Sequence, residues 1–274
     1  MFVKVYGERN TGTHFLSKLL KINTDLAELR ARKVTRKKSE LKKLLSSFSS
    51  IEQSPVMRRL IRERLIDAQR ERQFEENFGW KHAAVDIRRV EMNPQFDQTL
   101  FICLIRNPWR FISALHRRPY NYMPEVADSL KDFIVSPLIA NSRDGLKNVF
   151  QPNPVELWNQ KVASYLEFAG KYPENVRILY YESLLMDVEG FLKSIKDCCK
   201  VKPKTKIPSR STKRSLKTSK RDSKTFQDYK REVEQYDPSN ALGFEKAVLI
   251  QQRLDKNVFA KTLYASLRQY QIGV

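Results

Sequence analysis

Thr99-Leu100-Phe101-Ile102-Cys103-Leu104-Ile105-Arg106-Asn107-Pro108 is the stretch that decides the fold. From Leu100 to Ile105 the run is apolar without a break, and Arg106-Asn107-Pro108 ends it. A strand of this kind must be covered on both faces, which is the habit of a parallel sheet. Upstream, Phe2 to Tyr6 read as a short strand. Gly7 to Gly12 follow as a tight loop, and a helix opens near Thr13 with Phe15, Leu16, Leu19 and Leu20 on one face. Downstream, Asn153, Pro154 and Glu156 mark a helix start, with an N-cap, a first-turn proline and a capping box. Trp158, Val162, Tyr165 and Ala169 give that helix a buried stripe, and Gly170 can close it. A strand at 176–180, a turn at 181–183 and a helix from about 187 to 198 complete the alternation.

Strands alternating with helices predict an α/β fold with a central parallel sheet flanked by helices. The expected architecture is a three-layer sandwich, P-loop-like at its first strand–loop–helix, in a single domain over 1–274. Residues 24–78 read as a charged helical insertion. Its helix starts near Pro55 and carries Met57, Leu60, Ile61, Leu65 and Ala68 on one side. Residues 79–82 open a further short segment, 83–87. A last amphipathic helix is expected near 256–269, with Val258, Leu263 and Leu267 on its apolar side.

The chain has 274 residues, 41% hydrophobic and 11% aromatic, enough for one substantial core. It holds no run of about 18 apolar residues, so no transmembrane helix is expected, and residues 1–6 do not read as a signal peptide. Cys103, Cys198 and Cys199 are an odd set with a neighbouring pair, which suits unpaired thiols and a cytoplasmic setting. The net charge is +20, and residues 200–224 hold eleven Lys or Arg against the single acid Asp222. That stretch buries little apolar surface and is expected to be mobile. Such a charge suits nucleic acid, an anionic surface, an acidic polysaccharide or a phosphorylated cofactor alike.

Two elements carry the chemistry. A glycine-containing turn between a strand and a helix aims backbone N–H groups at one point, and the helix start adds positive potential. Arg9, Asn10, Thr11, Gly12, Thr13 and His14 form such an anion cradle, with hydroxyl donors at Thr11 and Thr13 and a full charge at Arg9. Arg106 lies at the carboxyl end of a central strand, the edge where open α/β sheets bind ligands. It can grip a phosphate through two N–H groups, and Ser113 can add a hydroxyl. No Gly-Lys-Ser/Thr follows the first strand, which argues against a P-loop nucleotide kinase. Aromatic-basic modules of the RNA-binding kind are missing too, so nucleic acid is the weaker reading of the charge. No His/Cys/Asp spacing suggests a metal.

Taken together, Thr11-Gly12-Thr13, Arg106-Asn107-Pro108 with Ser113, and Tyr181-Glu182-Ser183-Leu184-Leu185 resemble the sulfotransferases that use 3′-phosphoadenosine 5′-phosphosulfate (PAPS). Leu157-Trp158-Asn159 through Asp187 is similar to the helix–strand–turn of that family. The likeness covers 2–20, 79–118 and 155–199, about half the chain. It implies transfer of a sulfuryl group from PAPS to a hydroxyl or amine acceptor, a carbohydrate or other anionic molecule among the candidates. It also implies that residues 9–14 hold the 5′-phosphosulfate, that Arg106 and Ser113 hold the 3′-phosphate, and that Tyr181 lies near the base. Two departures stand out. Asn10 occupies the place of a Lys found in many members, with Arg9 just before it. The gap from Arg106 to Ser113 is seven residues, one shorter than usual in the family.

Trp80-Lys81-His82 has a counterpart in a subset of sulfotransferase-like sequences. Lys81 offers charge to sulfuryl oxygens, and His82 offers a proton acceptor suited to neutral pH. The expected catalytic set is therefore His82, Lys81 and Arg9. His14 and His116 are weaker base candidates.

Overall fold

The computed structural model describes residues 1–30, 55–120, 122, 127–208 and 225–266. Its centre is a four-stranded, all-parallel sheet in the order β2-β1-β3-β6, formed by β1 (Phe2–Tyr6), β2 (Ala27–Glu28), β3 (Thr99–Ile105) and β6 (Val176–Tyr180). Phe2 pairs with Thr99 and Tyr6 with Cys103, while Phe101 pairs with Val176 and Ile105 with Tyr180. β3 and β6 therefore end level, at Ile105 and Tyr180, and β1 ends two residues short of them, at Tyr6.

Every residue of β3 is buried. Its side chains alternate between two cores, as the strand period of two requires. Leu100, Ile102 and Leu104 pack with Phe15, Leu16, Leu19 and Leu20 of α1 (Thr13–Asn23) and with Leu184 and Leu185 of α7 (Tyr181–Met186). Phe101, Cys103 and Ile105 pack with Phe111 and Ile112 of α4 (Pro108–Arg117) and with Trp158, Val162 and Tyr165 of α6 (Pro154–Lys171). Two cores on two faces of one sheet make the three-layer α/β sandwich that the apolar run predicted.

Local signals explain where the helices start. Asn107 caps α4 by accepting from the Arg110 amide, and Pro108 fills its first turn. Asn153 accepts from the amides of Val155 and Glu156 at the start of α6. Glu156 does not close a box there; it turns to the side chains of Asn159 and Gln160. The helix runs one residue past Gly170, to Lys171.

Other expectations change. Residues 24–30 are not helical: Thr24 bonds back to α1, and Ala27–Glu28 add to the sheet as β2. The helix expected from Pro55 is α2 (Pro55–Glu76), yet Met57 is 46% exposed and Ile61 and Leu65 are only half-buried. Among the residues of α2 whose burial is described, the buried one is Glu63, against Arg143. Residues 83–86 form no strand, because the amide of Ala84 donates to the Asp144 carbonyl and that of Val85 to the Ser164 hydroxyl; α3 (Ile87–Glu91) follows. A short antiparallel ribbon, β4 (Leu138–Ile139) and β5 (Phe150–Gln151), lies ahead of α6, after α5 (Leu130–Val135).

The helix expected near 187–198 is shorter, α8 (Val188–Ser194). Beyond it come α9 (Phe226–Glu234), α10 (Pro238–Leu242) and α11 (Phe244–Gln251). The expected last helix is split into α12 (Lys256–Ala260) and α13 (Leu263–Ser266). Its buried anchor is Tyr264 rather than Leu263. Leu267, residues 31–54 and most of the basic stretch 200–224 lie outside the described residues. No described helix is long and apolar enough to cross a membrane.

Candidate active site at the carboxyl edge of the sheet

The loop after β1 is built by its glycines. Gly12 has φ 87°, and a Cβ there would sit 2.3 Å from the Tyr181 ring. Only a residue without a side chain lets that ring lie against the loop. A Cβ on Gly7 would meet Thr13 and Thr11 side-chain atoms at 2.8 and 2.9 Å. Asn10 is left-handed as well, at φ 66°, a conformation Asn tolerates better than most residues. The Thr11 amide and hydroxyl both donate to the Glu8 carbonyl, at 3.2 and 2.5 Å. Thr11 therefore closes the turn with groups that sequence reading had aimed at an anion.

The helix that follows is left open at its start. No side chain caps Gly12, whereas α4, α5, α6 and α8 are capped by Asn107, Ser129, Asn153 and Asp187. The first amides of a helix have no partner inside it, so the start of α1 presents N–H groups and the positive end of a dipole. Thr13 is buried at this end; His14 is exposed on α1.

Arg106 leaves the end of β3 and reaches back to this loop. Its Nη1 donates to the Asn10 carbonyl at 2.5 Å, and its guanidinium lies 5.4 Å from the centre of the Tyr181 ring. Loop, Arg106 and Tyr181 thus meet at one place, the carboxyl ends of β1, β3 and β6. Among the described residues Arg106 forms no ion pair with a carboxylate, and its Nε is buried without a partner. Burial draws its pKa down, opposed by the charge of Glu182. Glu182 itself is engaged by the Asn107 amide, by the Tyr264 hydroxyl and by Arg110 at 3.9 Å. Ser113 lies on α4, half-buried, one residue before the Ala114 carbonyl that accepts from Asn10 Nδ2 at 3.3 Å.

Trp80-Lys81-His82 borders the loop from the other side. Phe78 and Gly79 are both left-handed, at φ 62° and 84°. They are pinned by β1: Lys4 Nζ donates to the carbonyls of Asn77 and Gly79, and the Tyr6 hydroxyl to that of Phe78. The Gly7 amide donates to the Lys81 carbonyl at 2.9 Å, and His82 Nδ1 lies 2.6 Å from the Gly7 carbonyl. A carbonyl only accepts, so Nδ1 carries the proton and Nε2 the lone pair. Burial, with Lys81 and Arg9 adding to it, pushes His82 well below its ordinary pKa, so the ring is neutral at pH 7.

Arg9 turns inward, into a buried hub. Its Nη1 donates to Glu8 at 3.1 Å, Tyr122 at 2.7 Å and Asp144 at 3.4 Å. Its guanidinium lies 4.4 Å from the centre of the Trp80 ring and 4.7 Å from that of Tyr122. Lys161 of α6 enters the same hub and pairs with Glu8 and Asp144. Burial alone would raise the Asp144 carboxyl, but Lys161 and Arg9 outweigh it and hold the group well below the usual carboxylate range. Burial likewise works against the Arg9 charge, and Asp144 and Glu8 overcome it. Two cations and two carboxylates balance each other here, so the Arg9 charge is matched, although its Nη2 is buried without a partner.

No family model and no curated protein matches the chain.

Sequence reading named the loop, Arg106, Tyr181 and Lys81-His82, and the fold brings these to one edge. It missed Glu8, Tyr122, Asp144 and Lys161. Lys161 did carry a signal. It falls on the apolar stripe of α6, three residues after Trp158 and four before Tyr165, where a lone charge needs a buried partner.

Proposed function

We propose that the chain is a PAPS-dependent sulfotransferase acting on a hydroxyl or amine acceptor. The observation that carries this reading is the meeting of Arg106, a buried-side guanidinium without a carboxylate, with the uncapped start of α1 across the Asn10 carbonyl. A ligand anionic at two points and flat at a third matches what these groups lack. The amides at the start of α1 would hold a 5′-phosphosulfate, Arg106 and Ser113 the 3′-phosphate, and Tyr181 would lie against the base.

PAPS supplies an activated sulfuryl group. The rest falls to this chain: aligning the acceptor in line with the breaking bond and stabilising the charge that grows on the leaving oxygen. The α1 amides and Lys81 are assigned the charge, and Nε2 of neutral His82 the acceptor's proton. Arg9 is assigned a bracing role, since its charge is matched by Glu8 and Asp144.

Thermal unfolding with adenosine 3′,5′-bisphosphate, ATP–magnesium and an oligonucleotide tests the reading. Stabilisation by the bisphosphate alone, about 2.7 kcal/mol at a hundredfold excess over Kd, and its loss in Arg106→Ala, are the expected results. Stabilisation by ATP–magnesium or by the oligonucleotide instead would overturn it. With labelled PAPS and a panel of acceptors, His82→Ala should lose roughly 10²–10⁴-fold in turnover.

A further inference from the structure

We infer that Lys161 is a positioning residue that fixes the anion loop relative to His82, an inference that rests on the sulfotransferase reading for its kinetic consequence. The Lys161 ammonium has three N–H donors and meets three separate segments. It pairs with Glu8 of the loop, with Asp144 Oδ1 at 2.7 Å in the 141–145 turn, and with the His82 carbonyl at 2.6 Å. Glu8 passes the constraint on, because its Oε1 accepts from the Arg9 amide at 2.6 Å. Two elements assigned to opposite partners of the reaction, the loop to the donor and His82 to the acceptor, are thereby bonded to one atom. That atom is itself rigidly placed. Lys161 is 2% exposed and sits in the middle of α6, between Trp158 and Tyr165.

The corner around Arg106 needs no help from this atom. Arg106 holds the Asn10 carbonyl and lies by the Tyr181 ring, and that ring lies against Gly12, all on the other side of the loop. Loss of Lys161 should therefore spare nucleotide binding while loosening the alignment between donor and base. Transfer steps are sensitive to such displacement, on the order of 10²-fold for about 1 Å.

The test compares the parent chain with the double variant K161M/D144N, which removes one cation and one carboxylate from the hub together. Removing Lys161 alone strands a buried carboxylate, and that variant is open to simple misfolding. In the double variant Arg9 still matches Glu8, so charge balance is kept while the bond to the His82 carbonyl is lost. Relative to the parent chain, we expect kcat to fall on the order of 10²-fold, with the KM for PAPS changed by less than about threefold. Amide exchange supplies a readout that needs no activity. The Gly7 amide, which ties the loop to Lys81, and the Ala83 amide, which closes the 80–83 turn onto Trp80, should exchange about tenfold faster in the double variant, with Ile102 in β3 unchanged. Unchanged exchange at Gly7 and Ala83 would overturn the inference, as would a parallel rise in KM with kcat intact. Should the parent chain neither bind the bisphosphate nor turn over PAPS, the functional reading fails, and the exchange data alone decide whether Lys161 couples the two segments.

Discussion

Two cationic sites lie on either side of one loop, and they are built on opposite principles. On the β3 side, Arg106 is held by a neutral carbonyl and an aromatic ring, with no carboxylate paired to it among the described residues. On the α6 side, Arg9 and Lys161 are matched by Glu8 and Asp144 and covered by Trp80 and Tyr122. A buried charge without a counter-charge is costly, and a matched one is a structural brace. The difference separates a guanidinium open to an anion from one already matched by carboxylates. Sequence alone gave Arg9 and Arg106 equal standing as anion binders; their surroundings separate them.

The sharpest way to break this contrast is to remove charge from each side and compare stability. Glu8→Gln leaves Lys161 and Arg9 short of a buried partner and should cost roughly 3–5 kcal/mol in urea unfolding. Arg106→Met, which takes away an unmatched charge, should cost under about 1 kcal/mol while abolishing bisphosphate stabilisation. Equal losses in the two variants would dissolve the distinction. Next in size is Gly12→Ala. It forces a side chain into a φ of 87° and against Tyr181, and about 1–3 kcal/mol of stability should go.

Acid offers a third probe of the braced side. Asp144 has a folded pKa below its unfolded one, so its contribution is whole above about pH 4 and is lost as pH falls through the depressed value. His82, also depressed, takes up its proton more readily when unfolded, so stability declines below about pH 6.5 as well. His82→Ala should remove the earlier decline and leave the later one, as read from unfolding midpoints across pH. The last probe is alkaline. Burial lowers Lys4 to about 7, so between that value and its ordinary one the unfolded chain holds more protons. Stability should rise with pH across this window and stay flat there in Lys4→Met. A neutral amine has two N–H groups to give, and Lys4 has two carbonyls to receive them.

The fold was legible where burial is local. Leu100 to Ile105 had to be covered on both faces, and they are, by α1 and α7 on one side and α4 and α6 on the other. The loop was legible because strand, glycines and helix follow one another directly. Ala84 and Val85 form no strand, since their amides are met one at a time by Asp144 and Ser164, partners far along the chain. The hub was hidden for the same reason. Lys161 and Glu8 are 153 positions apart, and no local pattern links them. Thr11 read as an anion donor because a hydroxyl in a loop carries no mark of which carbonyl it will find.

Asn10, at the place where the resemblance would put a lysine, leaves no vacancy. Its backbone is left-handed, its amide nitrogen donates to Ala114, and its oxygen accepts from Tyr120 at 3.1 Å. A lysine grafted there would have to bear a conformation it disfavours and would strip two neighbours of their partner. The place is thus closed to a simple Asn10→Lys exchange. Moving a cation into this turn would first require rebuilding the chain around it.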